Sequence, residues 1–270
     1  MSSLPTVLKA PQKILIKLGG SIAENDAVMA EIAQAIVQLH QEHHQVVLVH
    51  GGGKAISRNL EWIQEEAVFK DGLRVTSPEA MEVVEMTLSG VVNKKWVSLI
   101  QEKGKYQKVR AVGVSGVDST LLQCEPLPSL GRVGTVTSVE PELLETLLMG
   151  GYIPVVSPVS EGKDFWHYNI NADEAAGAIA AAMKVDKLLF VSDVPAVLDA
   201  QKEPISHLTF QGFQEAVDNG VVQGGMIPKL GAAYRVLEQG VSEVHVCGWK
   251  NTELFYEQLV GTGEGTLCAL

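Results

Sequence analysis

"VVLVHGGGKAIS", residues 46–57, sets three glycines and a lysine directly after an apolar run. A glycine turn between a strand and a helix lets backbone N–H groups approach a phosphate, and the helix N-terminus adds positive potential. Two standard phosphate motifs are excluded. A P-loop requires G-x-x-x-x-G-K-[ST], but Gly53-Lys54 is followed by Ala55, and Leu48 stands five residues before Gly53. The dinucleotide fingerprint G-x-G-x-x-G fails at Ile56, where its third glycine belongs.

Outward from this stretch, short apolar runs alternate with longer amphipathic ones. That alternation indicates an α/β layered fold with a mainly parallel central sheet. Strands are expected at 13–18, 45–50, 108–114, 152–157, 186–192 and 242–247, their near-continuous apolar character implying cover on both faces. Helices are expected at 26–42, 54–66, 78–103, 140–150, 172–184, 209–219, 228–239 and 252–259. The longest has Ser77 as N-cap, Pro78 at the first position and Glu79 in the first turn. Its apolar stripe is read as Met81, Val84, Leu88, Val91, Val92 and Leu99. Residues 120–138 read as extended hairpin material, and no repeat of solenoid length is present.

The 270 residues suffice for one large domain or two lobes, and 46% are hydrophobic. A net charge of −11 without a basic run disfavours nucleic acid and anionic membranes as partners. Cys124, Cys247 and Cys268 form no C-x-x-C pair, so they read as buried small hydrophobes in a reducing cytoplasm. The N-terminal dozen residues lack a signal-peptide core, and no apolar window reaches membrane-spanning length.

Certain charges stand out. Lys17 lies inside the apolar run "ILIKLGGS", just before Gly19 and Gly20. Such a lysine either snorkels past the strand end or pairs with an anion. In open α/β sheets the carboxyl edge of the strands is where ligands bind. "QGGMIPKL" sets Lys229 after another glycine pair, in the first turn of a helix that Pro228 would start. Two cations beside glycine turns suit a transferring phosphoryl group, although either can also be a surface lysine. "NINADEAAG" offers Asn171 and Glu174 as an N-x-x-E capping arrangement, which puts Asp173 in the first turn. Asp173 can simply suit the helix dipole or orient both lysines by charge-assisted hydrogen bonds. Arg74, in "DGLRVTSP", has a planar fork matched to a carboxylate.

Taken together, "IKLGGS", "VHGGGK", "GLRVT", "NINADEAAGAIAAAM", "VSDVPAVLD" and "GGMIPKL" resemble the motifs of the amino-acid kinase family, in its order and spacing, over about residues 13 to 268. The resemblance implies an αβα sandwich of the carbamate kinase-like type with two lobes. Residues 1–184 would hold an acyl amino acid and form the dimer, and 185–270 would hold ATP. It implies phosphorylation of the side-chain carboxylate of N-acetyl-L-glutamate to N-acetyl-L-glutamyl 5-phosphate, in arginine biosynthesis. By position Lys17 and Lys229 resemble the transition-state lysines, with Asp173 organising them. Gly19, Gly20, Gly52 and Gly53 resemble the phosphate cradle, and Gly52, Gly53, Arg74 and Asn169 the substrate contacts. Asp193, Val194, Pro195, Ala196, Val197 and Leu198, with Val221, Val222 and Gln223, resemble the nucleotide contacts. Magnesium would arrive on ATP, with no protein metal site, and Lys54 is read as a bystander.

Ser77 and Ala196 depart from the aspartate and glycine common in relatives, and "VCGWKNTEL" departs from the tail of arginine-inhibited members. Only a dozen proline-interrupted residues precede the first strand, where hexameric relatives carry a linking helix. A homodimer across helix 78–103, without arginine feedback, is therefore expected. The competing expectations are a related kinase acting on an aminoadipyl, glutamyl or aspartyl carboxylate, and a non-catalytic metabolite sensor. A sensor would be expected to have lost a lysine or Asp173. The missing fingerprint disfavours a dehydrogenase.

Overall fold

The structure, a computed structural model, describes residues 10–19, 22, 25–224, 226–259 and 263–270. Gly20 and Gly225 of the two glycine pairs therefore lie outside the described residues. Strand β1 (Lys13–Leu18), helix α1 (Asp26–Gln41), β2 (Gln45–His50) and α2 (Gly53–Leu60) come first. A hairpin of β3 (Phe69–Lys70) and β4 (Leu73–Arg74) precedes α3 (Pro78–Glu85), which runs through a π-helical segment (Met86–Val92) into α4 (Asn93–Lys103). Next come β5 (Arg110–Ser115), β6 (Leu122–Pro126), β7 (Val133–Val139), α5 (Glu142–Met149), β8 (Tyr152–Ser157), β9 (Val159–Gly162), β10 (His167–Ile170) and α6 (Ala172–Ala182). The chain finishes with β11 (Lys187–Ser192), β12 (His207–Thr209), α7 (Phe210–Asp218), α8 (Met226–Glu238), β13 (Glu243–Gly248), α9 (Thr252–Leu259) and β14 (Thr266–Ala269).

Eight strands form one sheet in the order β12-β14-β13-β11-β1-β2-β8-β5. The six from β13 to β5 are parallel, and β14 runs antiparallel to β13. Strand β8 pairs with β2 only from Val155 onward, immediately after Pro154, which has no N–H to give. From β1 the chain proceeds to β2 on one side, and from β11 to β13 on the other. The junction of β1 and β11 is thus the point where strand order reverses, the customary ligand crevice of open α/β sheets.

Alternate residues of the central strands feed two cores. Leu15, Val47, Val49, Leu188 and Phe190 pack with Ala176, Ile179 and Ala233 of α6 and α8 on one face. Ile14, Ile16, Val46, Leu48 and Leu189 pack with Ile32, Ile36, Trp96 and Phe255 of α1, α4 and α9 on the other. Cover on both faces explains why these strands read as unbroken apolar runs. Strands β6, β7, β9 and β10 close a small ring beside this sheet, with β6 and β7 forming the antiparallel pair expected within 120–138. Among the described residues no helix is long and apolar enough to cross a membrane.

Some boundaries differ from the sequence reading. The strand expected at 108–114 begins at Arg110, because Lys108 takes a positive φ that ends the preceding turn. Pro228 does not start its helix; α8 begins at Met226, so Pro228 is the third residue, still within the first turn, where no intrahelical N–H is needed. The largest difference lies in the helix over 78–103. A π segment adds one residue to a turn, so Val91 faces solvent at 58% exposed while Val92 and Asn93 turn inward. Beyond it the buried positions are Trp96 and Ile100, and Leu99 is only half-buried.

Candidate active site

Lys17 sits near the carboxyl end of β1, on the face shared with Leu15 and covered by α6 and α8. Its side chain is buried, and its Nζ lies 2.8 Å from Asp173 Oδ1. Asp173 comes from the first turn of α6, which Asn171 caps by accepting from the Asp173 and Glu174 N–H groups at 2.8 and 3.1 Å. Glu174 does not complete the expected capping box. Its Oε1 instead accepts from Thr135 Oγ1 at 2.6 Å and the Val136 N–H at 2.7 Å, tying α6 to β7. Lys229, from the first turn of α8, reaches the same Asp173 Oδ1 at 2.9 Å. Its ammonium also lies 5.4 Å from the Phe190 ring centroid.

One carboxylate therefore serves two buried ammonium groups. Burial lowers the Lys17 pKa, Lys229 adds repulsion, and Asp173 opposes both. Burial alone would raise the Asp173 carboxyl, but the two lysines outweigh it and hold the group below the usual carboxylate range. With both lysines charged the triad keeps an excess positive charge that an entering anion would neutralise.

The glycine turns flank this triad. Gly19 N–H is bonded to Val191 O and Gly51 N–H to Leu18 O, so both turns are stitched to the strand ends around Lys17. A Cβ on Gly52 would stand 2.8 Å from Leu88 Cδ2, so the loop passes close over the π segment. Beside the loop lies a cavity of about 150 Å³, lined by Gly51, Gly52, Gly53, Arg74, Asn169 and Asn171 among others. Arg74 is buried, donating from Nη2 to Gly53 O at 2.7 Å and to Ser57 Oγ at 2.8 Å. Its guanidinium lies over the Phe69 ring at 4.7 Å, and its buried Nη1 has no acceptor among the described residues. Burial lowers the Arg74 pKa, but a guanidinium begins so high that it stays charged. Asn169 reaches Thr76 Oγ1 at 3.4 Å. Lys54 is exposed on α2.

Residues 193–198 leave the end of β11 beside the triad. Pro195 O accepts from Gly248 N–H and Val197 N–H donates to Thr266 Oγ1. Ala196 and Val197 are buried, whereas Asp193 and Pro195 are exposed. The Val221 and Val222 N–H groups both bond Ala216 O, folding 221–223 back against α7. Val197 and Val222 join one core cluster, so the two segments belong to the same side of the sheet. All three cysteines are buried, and burial pushes the Cys247 and Cys268 thiols up to about 12.

Three residues of this region escaped the sequence reading. Ser57 fixes Arg74 from one turn into α2. His50 ends β2 fully buried, and Asn93 reaches it from the start of α4 at 3.2 Å. A histidine closing the apolar run 46–49 was the available signal. Burial pushes the His50 pKa from 6.5 to about 4, and the nearby Lys94 adds to that direction. The folded protein thus refuses a proton that the unfolded chain accepts below about 6.5. This stabilising contribution is complete above pH 6.5 and is lost as pH falls towards 4, amounting to about 3 kcal/mol. His40 and His44, also shifted down by burial, act in the same direction. Urea midpoints should therefore fall between pH 7 and 4.5, and the fall should be shallower in His50→Asn.

The model of the amino acid kinase family matches residues 12–248. The chain belongs to that family. It is 42% identical to the acetylglutamate kinase of Geobacillus thermodenitrificans, covering 94% of this chain and 95% of that one. It is 38% identical to the acetylglutamate kinase of Campylobacter fetus, covering 97% and 95%. Carbamate kinase from Giardia lamblia, solved bound to AMP-PNP, shares the fold with a TM-score of 0.70 at 17% identity, covering 97% of this chain and 99% of that one.

Proposed function

We propose that this chain transfers the γ-phosphoryl group of ATP to the side-chain carboxylate of N-acetyl-L-glutamate. The products are N-acetyl-L-glutamyl 5-phosphate and ADP, and the step belongs to arginine biosynthesis. The observation that carries it is the pair of buried lysines on one oxygen of Asp173, beside a glycine turn, in a chain 42% identical to an acetylglutamate kinase over nearly its whole length.

The chemistry asks for no strong base, because the attacking carboxylate is ionised near neutral pH. It asks for alignment of two anions and relief of their repulsion. Lys17 and Lys229 supply charge to the phosphoryl oxygens, and Asp173 fixes their direction. The N–H groups of Gly20, Gly52 and Gly53 complete the cradle, whereas Gly19, expected among them, spends its N–H on Val191 O and shapes the turn instead. The acyl amino acid occupies the cavity beside Gly52 and Gly53, where the free Nη1 of Arg74 suits its α-carboxylate and Asn169 its amide. ATP lies across 193–198 and 221–223, which makes residues 1–184 the acceptor lobe and 185–270 the nucleotide lobe of one continuous sheet. Mg2+ would arrive on the nucleotide and neutralise phosphate charge. Asp173 is already engaged by two lysines, so phosphate oxygens and water would hold the ion. Two copies would meet across helix 78–103, whose Met86 and Val91 are more than half exposed.

A hydroxamate-trapping assay with ATP and N-acetylglutamate, glutamate, aspartate or N-acetylaminoadipate tests the assignment. Turnover with N-acetylglutamate is expected, and turnover only with another acceptor would replace it. In Arg74→Ala the KM for N-acetylglutamate should rise about 100-fold, as expected when a charged bond of roughly 3 kcal/mol is lost, while the KM for ATP changes little.

A further inference from the structure

Helix 78–103 departs from α-geometry at one place, and the side chains turned inward there converge on the glycine turn. Leu88 and Val92 pack against Gly52, Thr87 accepts from Asn59 of α2, and Ser89 meets Ser157 at 2.8 Å. Asn93, the next residue, reaches across the carboxyl ends of three strands. Its Nδ2 lies 2.9 Å from Val155 O, 3.3 Å from Val114 O and 3.2 Å from His50 Nε2, while its Oδ1 accepts from Lys94 Nζ. With Asn93 donating, His50 Nε2 must be the acceptor, so the ring proton belongs on Nδ1. His50 Nδ1 stands 3.1 Å from Gly51 O, which can only accept.

That bond fixes a peptide plane. The structure contains no cis peptide among its described residues, so the N–H of Gly52 points opposite to the carbonyl of Gly51. The carbonyl faces the buried ring; the N–H faces away from it, and it has no acceptor among the described residues. A peptide between two glycines flips easily, since neither flanking residue has a Cβ to resist. Flipped, it would present an oxygen to a phosphoryl group and turn attraction into repulsion.

We propose that His50 is a positioning residue, locking the Gly51–Gly52 peptide with its N–H turned towards the transferring phosphoryl group, and that Asn93 selects the ring tautomer that does so. This role rests on phosphoryl transfer at the glycine turn. The π segment is then the device that brings Asn93 into line with His50, because an α-helical register would turn Val91 inward instead.

The tautomer is read directly in the wild-type protein by long-range 1H–15N NMR of His50. A neutral ring with the proton on Nδ1 from pH 5.5 to 8 is expected, and the Nε2–H form would overturn the proposal whatever the protein phosphorylates. The second arm is kinetic. His50→Leu has no donor, whereas His50→Asn sets an amide nitrogen near the place of Nδ1. His50→Leu should lose about 100-fold in kcat, the scale for one transition-state donor, with KM for ATP within about threefold of wild type. His50→Asn should return to within about tenfold of wild type. Equal losses in both variants, or none in His50→Leu, would overturn the role. A wild type inactive on every acceptor tested would count against phosphoryl transfer instead, with the NMR result still deciding the tautomer.

Discussion

Lys17→Met is expected to lower kcat by about 1,000-fold without lowering stability, and Lys229→Met to behave alike. The size follows from preorganised charge: a single cationic group on a transferring phosphoryl is worth roughly 10³ or more where water is excluded. Both ammonium groups are held by Asp173 Oδ1, at 2.8 and 2.9 Å, before any substrate arrives. The unchanged stability follows from the count of charges. Two buried cations share one anion, and Lys17 already carries a pKa lowered by burial and by Lys229. A methionine of similar length leaves a matched pair, and exchanging a buried charge for an apolar group is often neutral or stabilising. Thermal midpoints within about 3 °C of wild type, or higher, are expected in both variants, a shift that corresponds to less than about 1 kcal/mol. A midpoint falling by 10 °C would mean that the lysines serve the fold rather than the chemistry.

Asp173→Ala has the opposite balance. It strands two ammonium groups against each other in a buried space, an uncompensated arrangement that costs about 3–5 kcal/mol. Activity should fall by at least 100-fold, because the lysines lose the group that aims them. Asp173 holds the Lys17 pKa up, so without it the pKa drops further and the residual activity fails at a lower pH than in wild type. The double variant Asp173→Ala/Lys17→Met should regain much of the lost stability but none of the activity. A double-mutant cycle of urea midpoints reads that coupling, expected to exceed about 1 kcal/mol for groups in direct contact.

Lys17 was legible because it broke a local pattern, a charge inside an apolar run, whereas Asp173 stood where any acid suits a helix dipole. Their meeting stood as one of two readings, favoured by the family resemblance, since no local pattern shows β1 and α6 brought together across more than 150 residues of chain. The central strands were legible for the same reason that their two faces are covered. Strands β3, β4 and β12 have two or three residues each, too few to show a period. The π segment was hidden by the rule used to find the helix. The expected stripe holds both Val91 and Val92, and the extra residue in the turn explains why Val92 stays buried while Asn93 takes the place of Val91. Glu174 was misread because a capping box and a tertiary bond look identical in sequence, and Glu174 takes the Thr135 hydroxyl and Val136 N–H of β7 instead. Arg74 was recognised as a carboxylate fork, but its anchors at Gly53 O and Ser57 Oγ follow from the β4–α2 contact alone.

In the proposed mechanism one carboxylate would arm two lysines for a phosphoryl group in transit. A crystal structure with ADP, Mg2+, N-acetylglutamate and a planar phosphoryl mimic addresses it most directly. Lys17 Nζ, Lys229 Nζ and the Gly52 N–H are predicted within about 3 Å of the mimic's oxygens, with both lysines still on Asp173. A mimic bound elsewhere, or one touched by neither lysine, would remove Lys17, Lys229 and Asp173 from the transfer step.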